Sequence, residues 1–192
     1  MTTLWLVRHG PTHQKTMTGW RDVPADLSDR DALARLQAYL PAGALIVSSD
    51  LIRAVTTADA IAGPRRRLPH DPALREIDFG AWDGLAGDVV AARDPVLSRQ
   101  FWDQPGDIAA PAGESWNAVT ARVGTAIDAH IARHRPAHLV VVAHVGAIMS
   151  QIPRATRETA SQSMRHRIDP LGVTDMTLTA AGWRLGRINH LA

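Results

Sequence analysis

The sequence predicts an α/β fold, a mostly parallel central sheet with helices on both faces. Two observations carry this. Short apolar runs alternate with longer stretches whose apolar residues recur at helical spacing. The strongest run, His138 to Ala143 (HLVVVA), has no polar alternation, as expected of a strand covered on both sides.

Taken in order, Leu4 to Val7 reads as the first buried strand, ending at Arg8-His9-Gly10-Pro11-Thr12, where Gly and Pro break it. His13 to Leu27 is polar and irregular, and a connection of that length inside a compact fold is usually functional. Asp29 to Leu40 places Leu33, Leu36 and Leu40 at helical spacing before Pro41. Ala44 to Val47 is a second strand, with Ser48, Ser49 and Asp50 as candidate caps for a helix from Leu51 to Ile61. Arg67 to His70 is a short third strand, which Pro69 places at an edge. Leu74 to Gly84 is a Gly-rich loop. Leu85 to Trp102 holds one or two helices, the second starting at Pro95. After the Pro105–Gly113 loop, Ser115 caps a long helix, Trp116 to His134, that Pro136 stops. The HLVVVA strand runs into His144-Val145-Gly146 and a helix through Gln151, with a weaker helix over Thr156–Met164. Val173–Leu178 and Trp183–Ile188, joined at Ala181-Gly182, read as an antiparallel addition.

The 192 residues suit one domain, 1–192, with 45% hydrophobic and 21% charged residues. Formal net charge is only +2. The basic residues are scattered arginines plus Lys15, with one cluster at Arg65-Arg66-Arg67, so no nucleic-acid stripe is expected. The absence of cysteine excludes disulfides, thiol nucleophiles and cysteine-held metals. No leader pattern follows Met1 and no apolar run reaches membrane length, so a soluble cytoplasmic protein is expected.

Four chemically useful features fall just after strands or in adjoining loops. These are Arg8 with His9, Arg53 early in the second helix, Glu76 in the Gly-rich loop, and His144 at the end of HLVVVA. In a parallel sheet all lie at the carboxyl edge, where open α/β sheets bind ligands. Two arginines and two histidines suit a phosphate, and Glu76 is the one acid on hand to move a proton.

The motifs carrying these residues resemble the histidine phosphatase superfamily, the phosphoglycerate mutase-like family. Arg8-His9-Gly10 resembles its signature. Ser48 to Ala54 with Thr57-Ala58, Leu74 to Gly84, Ala112-Gly113-Glu114-Ser115 and Val141-Val142-Ala143-His144 resemble its later motifs, in the family's order. The resemblance implies a three-layer α/β/α sandwich. It implies that His9 attacks phosphorus and carries the phosphoryl group, and that Arg8, Arg53 and His144 bind its equatorial oxygens. Glu76 would protonate the leaving oxygen and then take a proton from water. No cofactor or metal is implied. Thr12, Lys15, Thr18 and Gly19 would contact substrate, the Thr-Gly pair resembling a substrate loop of the mutases. Three positions depart from the family: Pro11 where a polar residue is frequent, Lys15 where Asn is frequent, and Val145 where Gly is frequent.

The resemblance points to a phosphomonoester phosphatase acting on a small phosphorylated metabolite, closest in its Glu76 loop to the broad-specificity and α-ribazole phosphatase branch. The alternatives are a phosphoglycerate mutase-type phosphotransferase, which the absence of an Arg-His-Tyr-Gly-Gly continuation after Glu76 disfavours, and a module that binds a phosphorylated ligand without turnover. A dinucleotide enzyme is excluded by the lack of GxGxxG after the first strand. No nucleic-acid or membrane partner is expected, and the oligomeric state is left open. Trp20 either closes over substrate or packs; Trp82 and Trp102 are expected to pack. Glu114 either reaches the crevice or favours a helix start. His130 and His134 share a helix face but lack the fixed carboxylate of a metal motif.

Overall fold

The computed structural model describes all residues, Met1–Ala192. Six strands form one mixed sheet: β1 (Thr2–Arg8), β2 (Leu45–Ser48), β3 (Arg66–Arg67), β4 (His138–Ala143), β5 (Val173–Thr179) and β6 (Gly182–Leu185). Their spatial order is β3-β2-β4-β1-β5-β6. The first four strands run parallel. The expected late addition is present, with β5 antiparallel to β1 and β6 antiparallel to β5.

Residue alternation along the strands builds two cores. Leu139, Val141 and Ala143 of β4 face one side, packing with Leu4 and Leu6 of β1. That side is covered by α5 (Trp116–His134) through Val119, Val123 and Ile127, and by α6 (Val145–Met149) through Ala147 and Ile148. Val140 and Val142 face the other side, against α1 (Arg30–Tyr39) and α2 (Ile52–Ile61). A strand buried between two helical layers has no polar face, hence HLVVVA.

Several boundaries and caps differ from the sequence expectation, each for a long-range reason. Of the expected caps only Ser49 contacts the start of α2, its Oγ accepting the Leu51 N–H at 3.3 Å, while Ser48 and Asp50 cap nothing. Asp50 is instead held by Arg75 at 2.7 and 2.6 Å. Asp22, distant in sequence, accepts the Ile52 N–H at 2.6 Å and so satisfies the helix's first donor. The third strand is Arg66–Arg67 rather than Arg67–His70, because only Leu45 and Ile46 face it. Ser115 caps α5 as expected, accepting the Ala118 N–H at 3.2 Å. Two helices fill Leu85–Trp102, α3 (Gly87–Arg93) and α4, which begins at Pro95 and ends at Asp103. The expected Thr156–Met164 helix is two single turns, α7 (Pro153–Thr156) and α8 (Ala160–Ser163), separated at Arg157, whose φ is 63°. β6 stops at Leu185 rather than Ile188, and the Gly186 N–H turns back to the Asp175 carbonyl. No helix is long and apolar enough to cross a membrane.

Trp82, in the loop carrying Glu76, is fully buried. Its Nε1–H donates to Asp94 at 2.7 Å and its ring meets Phe101 edge-on at 5.4 Å. Trp82→Ala is expected to cost about 3–5 kcal/mol of stability through a cavity and an unpartnered carboxylate. Urea unfolding of the variant measures this, and a loss below about 1 kcal/mol would mean the loop is not tied to the core through this ring.

Candidate active site

β1 and β4 are neighbours, and Arg8 pairs with Ala143 in their register. The residue after each strand, His9 and His144, therefore leaves the sheet edge beside the other, with ring centroids 5.1 Å apart. Arg53 enters from the first turn of α2, and Glu76 from the loop that follows β3. Parallel strands thus deliver all the expected polar groups to one edge.

His9 is buried, and its Nδ1 lies 2.6 Å from the Gly10 carbonyl oxygen. A carbonyl only accepts, so Nδ1 carries the proton and Nε2 keeps its lone pair. Gly10 is itself anchored, its N–H donating to Thr57 Oγ1 at 2.9 Å, and that hydroxyl donates to the Arg53 carbonyl at 2.7 Å. Burial pushes the His9 imidazole down from 6.5 to about 3, with the Arg53 and Arg8 charges adding to the effect and the Gly10 contact opposing it. His144 is fully buried and also held well below its ordinary value, first by burial and then by His9, Arg53, Arg122 and Arg8.

The two arginines use part of their forks on the protein. Arg8 donates to the Ile168 carbonyl at 2.6 Å. Arg53 donates to the carbonyls of Gly19 at 2.6 Å and Arg21 at 2.8 Å. The Nε atoms of both are buried without a partner, as are both ring nitrogens of His144. Buried polar atoms left unpaired are costly, and a cluster of them beside one histidine is the signature of a site built for an anion.

Glu76 is buried and its carboxylate accepts three backbone N–H groups. These come from Ile77 at 2.9 Å and Ala147 at 3.1 Å to Oε1, and from Gly146 at 3.1 Å to Oε2. A Cβ at position 146 would lie 2.5 Å from Glu76 Oε1, so a side chain there would push the carboxylate out of its place.

A cavity of about 320 Å³ opens over this group. Arg8, His9, Arg53 and Glu76 line its floor. Thr12, Gln14, Thr16 and Thr18 present one polar wall, every second residue of the long irregular connection. Phe79, Trp102, Trp116, Met149 and Met164 supply much of an apolar wall opposite.

Of the expected substrate contacts, Thr12 and Thr18 line the cavity. Lys15 does not; it is exposed, turned away between Gln14 and Thr16. Gly19 does not either; it is buried against Ile77 and Phe79 and holds Arg53 through its carbonyl. His144 is beside His9 but off the cavity wall. Trp102 packs on Phe101 and Phe79, as expected, while staying 41% exposed at the cavity. Trp20 packs rather than closing over the cavity, its Nε1–H donating to the Glu76 carbonyl at 2.8 Å. Glu114 pairs with Arg122 and accepts the Asp78 N–H, away from the cavity. His130 contacts Asp71 at 2.8 Å, and no cluster of three or more potential metal ligands is present. Gln14, Thr16, Phe79, Met149 and Met164 also line the cavity. Short polar residues in a loop and single methionines carry no local signal for a cavity wall.

A tautomer-fixed histidine among arginines at the edge of a three-layer α/β/α sheet is an arrangement suited to an anion. The profile of the histidine phosphatase superfamily, branch 1, matches residues 4–191. The probable phosphoglycerate mutase GpmB of Cronobacter sakazakii is 30% identical over 206 residues, covering 100% of this chain and 95% of that protein. The chain belongs to the histidine phosphatase superfamily. It is 37% identical over 164 residues to the bifunctional protein Rv2228c of Mycobacterium tuberculosis, spanning 42% of that protein's length and 77% of its own. Among solved structures, Bacillus stearothermophilus YhfR superposes with a TM-score of 0.90 at 27% identity, covering 100% of this chain and 98% of that one. Mycobacterial glucosyl-3-phosphoglycerate phosphatase superposes at 0.85 with 25% identity, each chain fully covered.

The buried imidazole has a consequence for stability. Between 6.5 and about 3 the unfolded chain binds a proton at position 9 that the folded chain does not. Stability therefore falls as pH drops through that window, by about 1.4 kcal/mol per pH unit from this residue. Urea unfolding from pH 7 to pH 5 should show a shallower loss in His9→Ala than in the native chain. Parallel curves would mean that His9 is solvated in the folded state.

Proposed function

We propose that this chain hydrolyses a small phosphomonoester through a phosphohistidine at His9. The observation that carries the reading is the contact of His9 Nδ1 with the Gly10 carbonyl, which leaves Nε2 as an unprotonated nucleophile at the cavity floor. Nε2 attacks phosphorus as the phosphorus–oxygen ester bond breaks. Glu76, protonated, gives its proton to the departing alkoxide. Water then attacks phosphorus, Glu76 takes the proton, and the phosphorus–nitrogen bond breaks to return the lone pair to His9. Arg8, Arg53 and His144 stabilise the equatorial oxygens where transition-state charge gathers. Their unpartnered nitrogens support that role.

The cavity wall narrows the substrate class. Arg8 and Arg53 are the only Arg or Lys side chains on it, and both stand at the His9 floor. The far wall is apolar. That fits one phosphate on an apolar or aromatic alcohol better than a ligand with a second anionic group. It also supports hydrolysis over the mutase reading, in which a second phosphate must be held, although the whole-chain likeness to GpmB keeps that reading in the test.

Phosphate release from aryl, alkyl and sugar phosphates and from phosphoglycerate, in excess chelator, tests both. The native chain should release phosphate, His9→Ala should not, and quenching in alkaline detergent should trap an acid-labile, base-stable phosphoryl group on His9 alone. Esters with an apolar ring should exceed those with a second anion by about 10- to 100-fold in kcat/KM, the worth of burying one such ring. Isomerisation of phosphoglycerate without phosphate release would establish the mutase reading instead.

A further inference from the structure

Arg122 stands seven residues into α5, and neither the motifs nor the cavity wall include it. Its guanidinium has five N–H bonds, and all five are used. Nε donates to Glu114 Oε1 at 2.7 Å, and Nη2 donates to Glu114 Oε2 at 2.6 Å. Nη1 donates to the carbonyls of Ala73 and Arg75, each at 3.0 Å. The second Nη2 hydrogen reaches the Glu76 carbonyl, also at 3.0 Å. Glu114 Oε2 in turn accepts the Asp78 N–H at 3.1 Å. One guanidinium and its counter-ion thus grip the main chain on both sides of Glu76.

A second grip comes from the long connection after β1. The Trp20 indole donates to the same Glu76 carbonyl, and its ring lies 4.8 Å from the Arg75 guanidinium and 5.8 Å from that of Arg122. Trp20 belongs to the segment whose Gly19 and Arg21 carbonyls hold Arg53. The proton-transfer residue and a phosphate-binding arginine are therefore tied into one frame.

We infer that Arg122, paired with Glu114, is the positioning residue for Glu76: it fixes the backbone from which the carboxyl reaches the leaving oxygen. The fork serves because its rigid plane meets four separate acceptor groups at once. This rests on the acid role of Glu76 proposed above.

Leaving-group dependence separates positioning from general damage. An activated aryl ester leaves without a proton, whereas an alkyl ester needs one. Because kcat/KM reports the step in which the ester bond breaks, Arg122→Met should lower it for an alkyl phosphate by about 30-fold or more, within the range of lost acid catalysis. For the activated aryl ester the loss should stay within about threefold. Arg122→Lys should recover only part of the alkyl activity, since one ammonium cannot fill the fork. In a Glu76→Gln background, Arg122→Met should cost little more, because the group it positions is gone. Equal losses on both esters, or full additivity with Glu76→Gln, would overturn the assignment. If Glu76→Gln itself showed no leaving-group split, the acid role would fail first, and Arg122 with it. Should Arg122→Met not fold, Trp20→Phe removes the other donor to the Glu76 carbonyl; it should show the same split on a smaller scale, and an even loss would count against the frame.

Discussion

The parallel pairing of β1 with β4 is the constraint on which the rest of the site depends. Hydrogen-bond register is discrete, and a slip by one residue would turn each side chain to the opposite face. With Arg8 opposite Ala143, both strands end at the same level and release their histidines together. The register is held by apolar side chains on both faces, Leu139, Val141 and Ala143 on one and Val140 and Val142 on the other. The sheet core and the placement of the two imidazoles are one packing problem.

Around that edge the protein uses main-chain carbonyls to orient N–H donors, two of them the arginines' cationic forks. Arg53 rests on Gly19 and Arg21, Arg8 on Ile168, and His9 on Gly10. Carbonyls can fix a donor's direction without neutralising it. The positive charge therefore stays available to an anion, whereas carboxylate partners would cancel it. The carboxylates nearby are kept to other tasks: Asp50 on Arg75, Glu114 on Arg122, and Glu76 on backbone amides.

What was legible in the sequence follows from the range of the forces involved. HLVVVA announced β4 because burial on both faces erases alternation, and Ser115 announced the start of α5 because a cap is a local contact. Arg8, His9, Arg53, Glu76 and His144 could be placed at one edge because strand ends are local and parallel topology does the rest. The part of the α2 start played by Asp22 was not legible because that residue arrives from a distant loop while Arg75 claims Asp50. Arg122 gave no signal, since one arginine on an amphipathic helix resembles any solvated residue. Its partners come from Ala73 to Glu76 and from Glu114, which no local spacing connects. The apolar wall was illegible for the same reason: Phe79, Trp102, Trp116 and Met164 meet only after α4, α5 and α8 have packed.

The alternation in the connection after β1 separates two kinds of evolutionary freedom. Thr12, Gln14, Thr16 and Thr18 face the cavity, while Lys15 faces outward and Met17 packs on the core, its backbone paired with Leu85 and Gly84. Thr12 can change without touching the residues that anchor the segment, whereas Gln14 and Thr16 each also accept from Arg21 Nη2 at 3.2 Å. A lineage could acquire a new substrate through a few polar replacements here, leaving the His9 floor and its supporting frame unaltered. In such an arrangement chemistry is inherited while selectivity diversifies.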